Sequence, residues 1–158
     1  MMAADWAGAI VAIKALFAST WVIGPDPRTR IVEVNKNPED PWPPKDAQGN
    51  LQAYVLIAPE GASADRIAFG TPGNQTYLYP GLIHVHVFVP VGQGTDQAFA
   101  LAVAAGEIFR NQKFYDDVTP ACYVRSWTPR VDGGGPGDDD GVWFRVTATI
   151  PFEYWHRG

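Results

Sequence analysis

Apolar residues recur at helical spacing in two segments of the chain. The first lies near the N-terminus, where the apolar stripe consists of Trp6, Ile10, Ile13 and Phe17. Asp5 precedes this stripe as a predicted N-cap, because its carboxylate can accept hydrogen bonds from the free N–H groups of the first turn. The second segment runs from Thr95, its predicted N-cap, to about Gln112, and its alanines allow close packing on a sheet. The pattern therefore predicts an N-terminal helix and a central helix.

Alternating apolar and polar positions predict several strands. Residues 31–35 alternate as a half-buried strand does, and residues 51–59 form a second extended segment. Residues 81–90 are largely apolar on both alternating faces. One face carries Leu82, His84, His86 and Phe88, and the other carries Ile83, Val85, Val87 and Val89. Such a strand is typical of the middle of a sheet that is covered on at least one side.

The C-terminal third of the chain has the pattern of a β-hairpin. Its predicted arms are residues 121–130 and 142–155, joined by a loop over residues 131–141. Short connections between strands, and two helices far apart in sequence, favour the α+β class. We therefore predict a single domain over residues 1–158. It is a mixed or mostly antiparallel β-sheet with the N-terminal and central helices packed on one face and a long C-terminal β-hairpin.

Composition and charge narrow the range of functions. The chain has 158 residues, a length that suits one domain with a proper core. Its 12 basic and 17 acidic residues give a net charge of −5, so no basic field is present to grip nucleic acid. Trp6–Trp21 contains Lys14 and falls short of the roughly 18 apolar residues of a membrane span. We predict neither a signal peptide nor a membrane span.

Sequence motifs for catalysis or cofactor binding are incomplete. The GQG segment at 92–94 follows a strand and opens a helix, but a dinucleotide-binding turn would need a third glycine at 97–98. Residues 61–65 lack the last glycine of a nucleophile elbow, so a loop is the better interpretation. Cys122, the only cysteine, lies in an apolar strand pattern and is expected to be a small buried hydrophobic residue. We predict no enzymatic activity and no cofactor.

His84 and His86 lie two residues apart on one face of the predicted central strand. This spacing occurs in some metal sites, which would need a third ligand from His156 or a carboxylate. Nothing in the sequence places such a ligand beside them. A sheet surface or a subunit contact is the preferred interpretation, and a small metal-binding domain remains an alternative.

The predicted hairpin loop at 131–141 is strongly acidic. It holds Asp132, Asp138, Asp139 and Asp140 and contains no lysine or arginine. A calcium-binding EF-hand counted from Asp138 would need a glutamate at its twelfth position, where this chain has Thr149. The loop is therefore interpreted either as a solvated hairpin tip or as a surface that repels another anion.

A longer pattern within residues 70–109 resembles a known family. It comprises a glycine in an FG element, the strand and turn YPGLIHVHVFVPVGQG, and a small-residue helix that ends in EIF. The N-terminal helix, a strand near Asn35 and the final strand WFRVTATIPFEYW fit the same order of elements. The chain thereby resembles the tail terminator proteins of long-tailed phages and gene transfer agents.

The resemblance implies a structural virion protein without catalytic residues. Such a protein forms a ring, expected to be a hexamer, on the head-proximal end of the tail tube. There it stops tube growth and joins the tail to head-completion or stopper proteins. DNA would pass through the lumen without specific binding. The implied location is the virion neck, and the host cytoplasm during assembly. Another neck ring protein, such as a head–tail stopper or adaptor, is the alternative of the same class.

A ring subunit needs two different contact patches for its neighbours. Trp42, in a proline-rich loop, and Trp155, near the C-terminus, are candidate contact anchors because aromatic residues are enriched at interfaces. His84 and His86 complete the candidate interface. The acidic loop with Asp132 and Asp138–Asp140 is expected to face the lumen, where like charge would keep DNA from adhering to the wall.

Overall fold

The computed structural model describes residues 5–21, 29–61, 65–66, 75–117 and 122–157. These residues contain two helices, α1 (Trp6–Trp21) and α2 (Asp96–Phe109). Their strands are β1 (Arg30–Glu33), β2 (Tyr54–Gly61), β3 (Asp65–Arg66), β4 (Thr76–Pro90), β5 (Lys113–Phe114), β6 (Cys122–Ser126), β7 (Arg130–Val131), β8 (Gly135–Pro136) and β9 (Trp143–Arg157). Ala121 at the start of the predicted hairpin arm, residues 62–64 of the predicted loop at 61–65, and the FG element at 69–70 lie outside the described residues.

Two 15-residue strands form the centre of the sheet. β4 and β9 pair antiparallel along their full length, from Thr76 opposite Arg157 to Pro90 opposite Trp143. The sheet order is β1-β2-β4-β9-β6-β5, with β1 parallel to β2 and the other neighbours antiparallel. β3 pairs with β4, and both β7 and β8 pair with β9. The predicted mixed, mostly antiparallel sheet is confirmed.

Both helices pack on one face of this sheet, as predicted. Asp5 caps α1, and its Oδ1 atom accepts a hydrogen bond of 2.7 Å from the backbone N–H of Gly8. The sheet face towards the helices carries a row of fully buried residues, among them Val55, Ile57, Ile83, Val85, Val87, Val146, Ala148 and Ile150. No helix in the described part of the chain is long and apolar enough to cross a membrane.

The observed element ends differ from the predicted ones where a strand partner or a backbone angle overrides local pattern. β4 begins five residues before Gly81, because β9 offers a pairing partner along that whole stretch. α2 ends at Phe109 instead of Gln112, and Asn111 follows with a positive φ of 50°. Thr95 makes no side-chain cap hydrogen bond, so its predicted capping role is wrong in this respect.

The C-terminal hairpin is confirmed, but its predicted loop at 131–141 is partly strand. β7 and β8 pair with β9 inside the segment that the sequence assigns to the loop. The sequence does not indicate this pairing, because the glycine-rich segment has no alternation of apolar and polar side chains. Backbone hydrogen bonds form without such alternation. The turn itself is reduced to residues 137–142, where the N–H of Gly137 donates to the carbonyl of Trp143.

Two glycines allow the start of α1 to lie on the β2–β4 pair. Gly61 and Gly81 are directly opposite each other. A Cβ at Gly61 would collide with the Trp6 ring, and one at Gly81 would lie 2.6 Å from the Phe152 ring. Trp6 stacks on Tyr79 and Phe152 with ring centroids 5.6 and 5.8 Å apart. The absent side chains therefore provide the space for this aromatic contact.

We expect Gly81→Ala to lower the free energy of unfolding by about 1–3 kcal/mol, because it overpacks the contact between Phe152 and the neighbouring strand. Urea unfolding followed by tryptophan fluorescence measures the change. Gly133→Ala is the matched control, since a Cβ at Gly133 meets no atom within 4 Å. Equal stability of the two variants would contradict the packing role of Gly81.

Candidate functional site: the open face of the sheet

The sheet face turned away from the helices carries the candidate site. No helix of the described residues covers it. Burial alternates along β4, so Ile83, Val85 and Val87 are buried while His84 and His86 are only half-buried. We call this surface the open face; its central residues are Tyr54, Leu56, Leu82, His84, His86, Phe88, Thr147 and Thr149.

His84 and His86 form a stacked pair at the centre of the open face. Their ring centroids are 5.9 Å apart and the planes differ by 10°. The Nδ1 atom of His84 lies 3.2 Å from the hydroxyl of Thr149, and that of His86 lies 2.8 Å from the hydroxyl of Thr147. The pairing register of β4 with β9 explains both contacts, because each threonine is directly opposite its histidine.

The outer nitrogen of His84 lies 2.9 Å from Oε1 of Glu60, at the end of β2. The two imidazole rings lie side by side and nearly parallel, so their nitrogens do not converge on one point. The described residues contain no group of three or more His, Cys, Asp or Glu side chains that could hold a metal ion. The histidine pair is thus arranged for hydrogen bonding and stacking across an exposed surface.

Partial burial lowers the pKa of His86 below the usual histidine value. The positive charge of Arg145 and the neighbouring His84 act in the same direction, while Asp132 opposes them. The neutral imidazole is therefore the favoured form of His86 in the folded chain. A partner at this surface would meet a neutral hydrogen-bonding group there at pH 7.

An aromatic cluster occupies one end of the open face. Tyr54 stacks on Phe88 with centroids 4.7 Å apart, and Trp143 and Trp42 meet Tyr54 edge-on at 5.0 and 4.7 Å. Trp42 is 38 % exposed. Arg30 positions its loop, because Nη1 donates hydrogen bonds to the carbonyls of Glu39 and Pro41. The predicted anchor Trp42 is therefore exposed and held in place.

A second aromatic group lies at the other end of the β4–β9 pair. Trp155 stacks on Tyr123 at 5.7 Å, and its Nε1 donates a hydrogen bond to Glu153. Lys113 covers the ring of Tyr123 at 4.8 Å. This group combines aromatic rings, which are enriched at contact surfaces, with an exposed positive charge.

The structure places all four predicted contact residues on the same face of the sheet, the open face. His84 and His86 are central, while Trp42 and Trp155 lie towards opposite ends of the long strands. The sequence analysis missed Tyr54 and the cluster around it. The alternation of residues 51–59 signals the exposed side of β2, but only the register of β2 with β4 brings Tyr54 onto Phe88.

The four acidic loop residues divide into two kinds. Oδ1 of Asp132 accepts hydrogen bonds from the N–H groups of Gly134 and Thr147, at 3.0 and 3.1 Å. Oδ1 of Asp138 likewise holds the turn that leads into β9. Asp139 and Asp140 are exposed. Two carboxylates therefore stabilise the hairpin, and the lumen-facing role of the loop stays a prediction.

Cys122 is buried at 5 % exposure, as predicted. Its Sγ donates a hydrogen bond to the carbonyl of Tyr115 at 3.3 Å. Burial raises the pKa of the thiol, so the reactive thiolate is disfavoured at neutral pH. The side chain belongs to the core.

Comparison with known proteins finds a likeness of fold alone. No protein-family model matches the chain, and none of the curated proteins matches it. A solved structure whose name gives no function is similar to this chain with a TM-score of 0.61. The two are 17 % identical, and the match covers 92 % of each chain. This similarity concerns the fold alone. It shows that a second chain, matched over nearly its whole length, has a similar fold.

We expect the folded chain to lose stability as pH falls below about 6.5, the histidine value in an unfolded chain, because unfolded His86 then binds a proton that the folded form resists. Urea unfolding at several pH values measures this loss. In His86→Gln the decline should be smaller. NMR titration of the His86 ring gives an independent readout, and a folded-state pKa above that of an unstructured histidine peptide would contradict the expectation.

Asp138→Ala should lower the free energy of unfolding by about 1–3 kcal/mol, because it leaves the N–H groups of Val142 and Trp143 without their acceptor. Asp139→Ala removes the same charge from the adjacent exposed position and should change stability far less. Thermal unfolding of the two variants side by side provides the comparison. Equal losses would show that charge, and not the backbone hydrogen bonds, accounts for the effect.

Proposed function

We propose that the chain is a structural virion protein, a tail terminator subunit. It forms a ring, most simply a hexamer, at the head-proximal end of a phage-like tail tube. The ring ends tube polymerisation and joins the tail to a head-completion protein. The observation that carries the proposal is the open face, which presents the exposed Trp42 towards one end of the β4–β9 pair and the half-buried Trp155 towards the other.

The outer surface of the helical layer also favours assembly. Lys14 is the only charged residue in α1, and the outward positions Ala7, Val11 and Ala15 are exposed. A helix that is apolar around its whole circumference is typically buried. In the isolated subunit the outer face of α1, with Ala7, Val11 and Ala15, is exposed to solvent. A ring docked on a tube and a head protein would offer partners that cover this face.

The sequence resemblance supplies the specific identity of this assembly. The strand and turn within it correspond to β4 and the connection into α2, elements that form the centre of the fold. In the proposed ring the tip with Asp139 and Asp140 faces the lumen, where its negative charge repels passing DNA. That repulsion extends over a Debye length of about 8–10 Å at moderate salt.

We expect the purified chain to bind one end of isolated tail tubes and to stop their elongation by added tube protein. Negative-stain images of the tube ends and the distribution of tube lengths measure both effects. Trp42→Ala should reduce capping because it removes an exposed anchor. Gln48→Ala, on the exposed turn that follows the Trp42 loop, is the control and should leave capping unchanged.

Two outcomes would redirect the proposal. Binding to DNA-filled heads, with no effect on tubes, would assign the chain to the stopper or adaptor proteins of the neck. A stoichiometric metal ion that is lost on His86→Ala, together with no binding to tubes or heads, would favour the metal-binding alternative.

A further inference from the structure

The sheet edge formed by β5 and β6 presents positive charges that lie over aromatic rings. Lys113 lies 4.8 Å from the centroid of Tyr123, and Arg125 lies 4.6 Å from that of Trp127. Neither cation forms an ion pair with a described residue, in contrast to Arg110, which pairs with Glu107. We call Lys113, Tyr123, Arg125 and Trp155 the basic edge.

A cleft of about 410 Å³ opens at the basic edge. Its lining includes the rings of Tyr123 and Trp155, the cations Lys113 and Arg157, and one carboxylate, Asp116. An aromatic floor beside exposed cations can receive a side chain that has both an apolar body and a neighbouring carboxylate.

Three acidic groups also lie near the basic edge: Asp116, Asp117 and Glu153. Glu153 already accepts the hydrogen bond of the Trp155 indole. None of the three forms an ion pair with Lys113 or Arg125. Both cations therefore keep their capacity to pair with carboxylates from outside the chain.

The opposite side of the sheet, next to β1, has the complementary chemistry. Glu39, Asp40 and Trp42 are exposed on one loop, and we call these three residues the acidic edge. Neither Glu39 nor Asp40 forms an ion pair with a described residue. Lys36, the cation in the same loop, pairs with Glu33 instead. Lys45 is the nearest other cation along the chain.

The acidic edge is already ordered for binding. The two hydrogen bonds from Arg30 fix the loop backbone, and the edge-on contact with Tyr54 fixes the Trp42 ring. A loop that is positioned before binding loses little conformational freedom on association. The energy of its contacts is then available for affinity.

We propose that the acidic edge of one copy docks on the basic edge of the next. The exposed part of the Trp42 ring packs against the aromatic cleft beside Trp155, while Glu39 and Asp40 pair with Lys113 and Arg125. The acidic edge lies next to β1 and the basic edge at β5 and β6, which are the two opposite ends of the strand order. Contacts between two unlike patches at opposite ends of a subunit are head-to-tail and can close into a ring. This assignment rests on the proposed ring function and names the residues that connect its subunits.

A second copy fits this surface better than nucleic acid does. The whole chain has a net charge of −5, and Asp116 lines the cleft at the basic edge. A long phosphate backbone would approach these negative groups, whereas two carboxylates on a short loop can reach the cations alone. The same chain carries that loop with an exposed tryptophan beside it.

Charge reversal tests the pairing directly. We expect the wild-type chain to self-associate at low salt and to dissociate as salt rises. Glu39→Lys with Asp40→Lys, and separately Lys113→Glu with Arg125→Glu, should each weaken association about tenfold or more, because each places like charges together. An equimolar mixture of the two double variants should associate again, since every contact then joins opposite charges. Sedimentation velocity over a range of concentrations gives the measurement.

Asp139→Lys with Asp140→Lys is the matched control. It makes the same change in net charge as Glu39→Lys with Asp40→Lys, but at the hairpin tip, outside both edges, and should leave the subunit contact intact. Circular dichroism verifies that each variant is folded. Should Lys113→Glu with Arg125→Glu unfold, Lys113→Gln with Arg125→Gln removes the same two charges and should still weaken association.

Three results would overturn the assignment. One is a wild-type chain that stays monomeric at about 1 mM and low salt, a concentration at which even a weak contact is populated. Another is a mixture of the reversed variants that does not associate. The last is a single-stranded oligonucleotide that binds the basic edge in place of a second copy. Tube capping by the wild-type chain distinguishes these failures from failure of the proposed function, because capping tests the ring on its template whichever edges connect it.

Discussion

The antiparallel pairing of β4 with β9 is the constraint on which the rest of the structure depends. Fifteen consecutive residue pairs fix the register of one strand against the other. Because side chains alternate along both strands, that register decides at once which residues face the helices and which face away. A shift of β9 by one residue against β4 would turn Ala148 to the open face and Thr149 to the core, while Val85 stayed buried. The hydrophobic core and the open face are therefore two consequences of one pairing.

The open face combines apolar and polar groups because it is only half removed from water. Each histidine finds a threonine hydroxyl directly across the β4–β9 register, so its inner nitrogen is not left unpaired. At the other end, the hydroxyl-bearing ring of Tyr54 lies among Phe88, Trp42 and Trp143. Such a surface tolerates water in the free subunit and still offers apolar area to a partner.

The sequence predicts the class of fold well because its strongest signals are local. The stripe of α1, the alternation of β4 and the apolar C-terminal strand each depend on residues close together in the chain. The sequence does not reveal β8, because glycine and proline at 135 and 136 are typical of a turn. The strand conformation of these two residues comes from their pairing with Arg145 and Phe144 of β9. Likewise, Tyr54 joins the candidate site through a register between separate strands, which no local pattern specifies.

Electrostatics makes the location of the contacts more important than their number. Every copy carries a net charge of −5, so closure of the proposed ring would bring together subunits that repel each other at long range. Salt screens this general repulsion beyond about 8 Å at physiological ionic strength, while groups in direct contact are screened less. A head-to-tail contact that pairs Lys113 and Arg125 with carboxylates thus gains attraction at short distance. The acidic tip stays outside that contact, which leaves its negative charge free to act on the space around it.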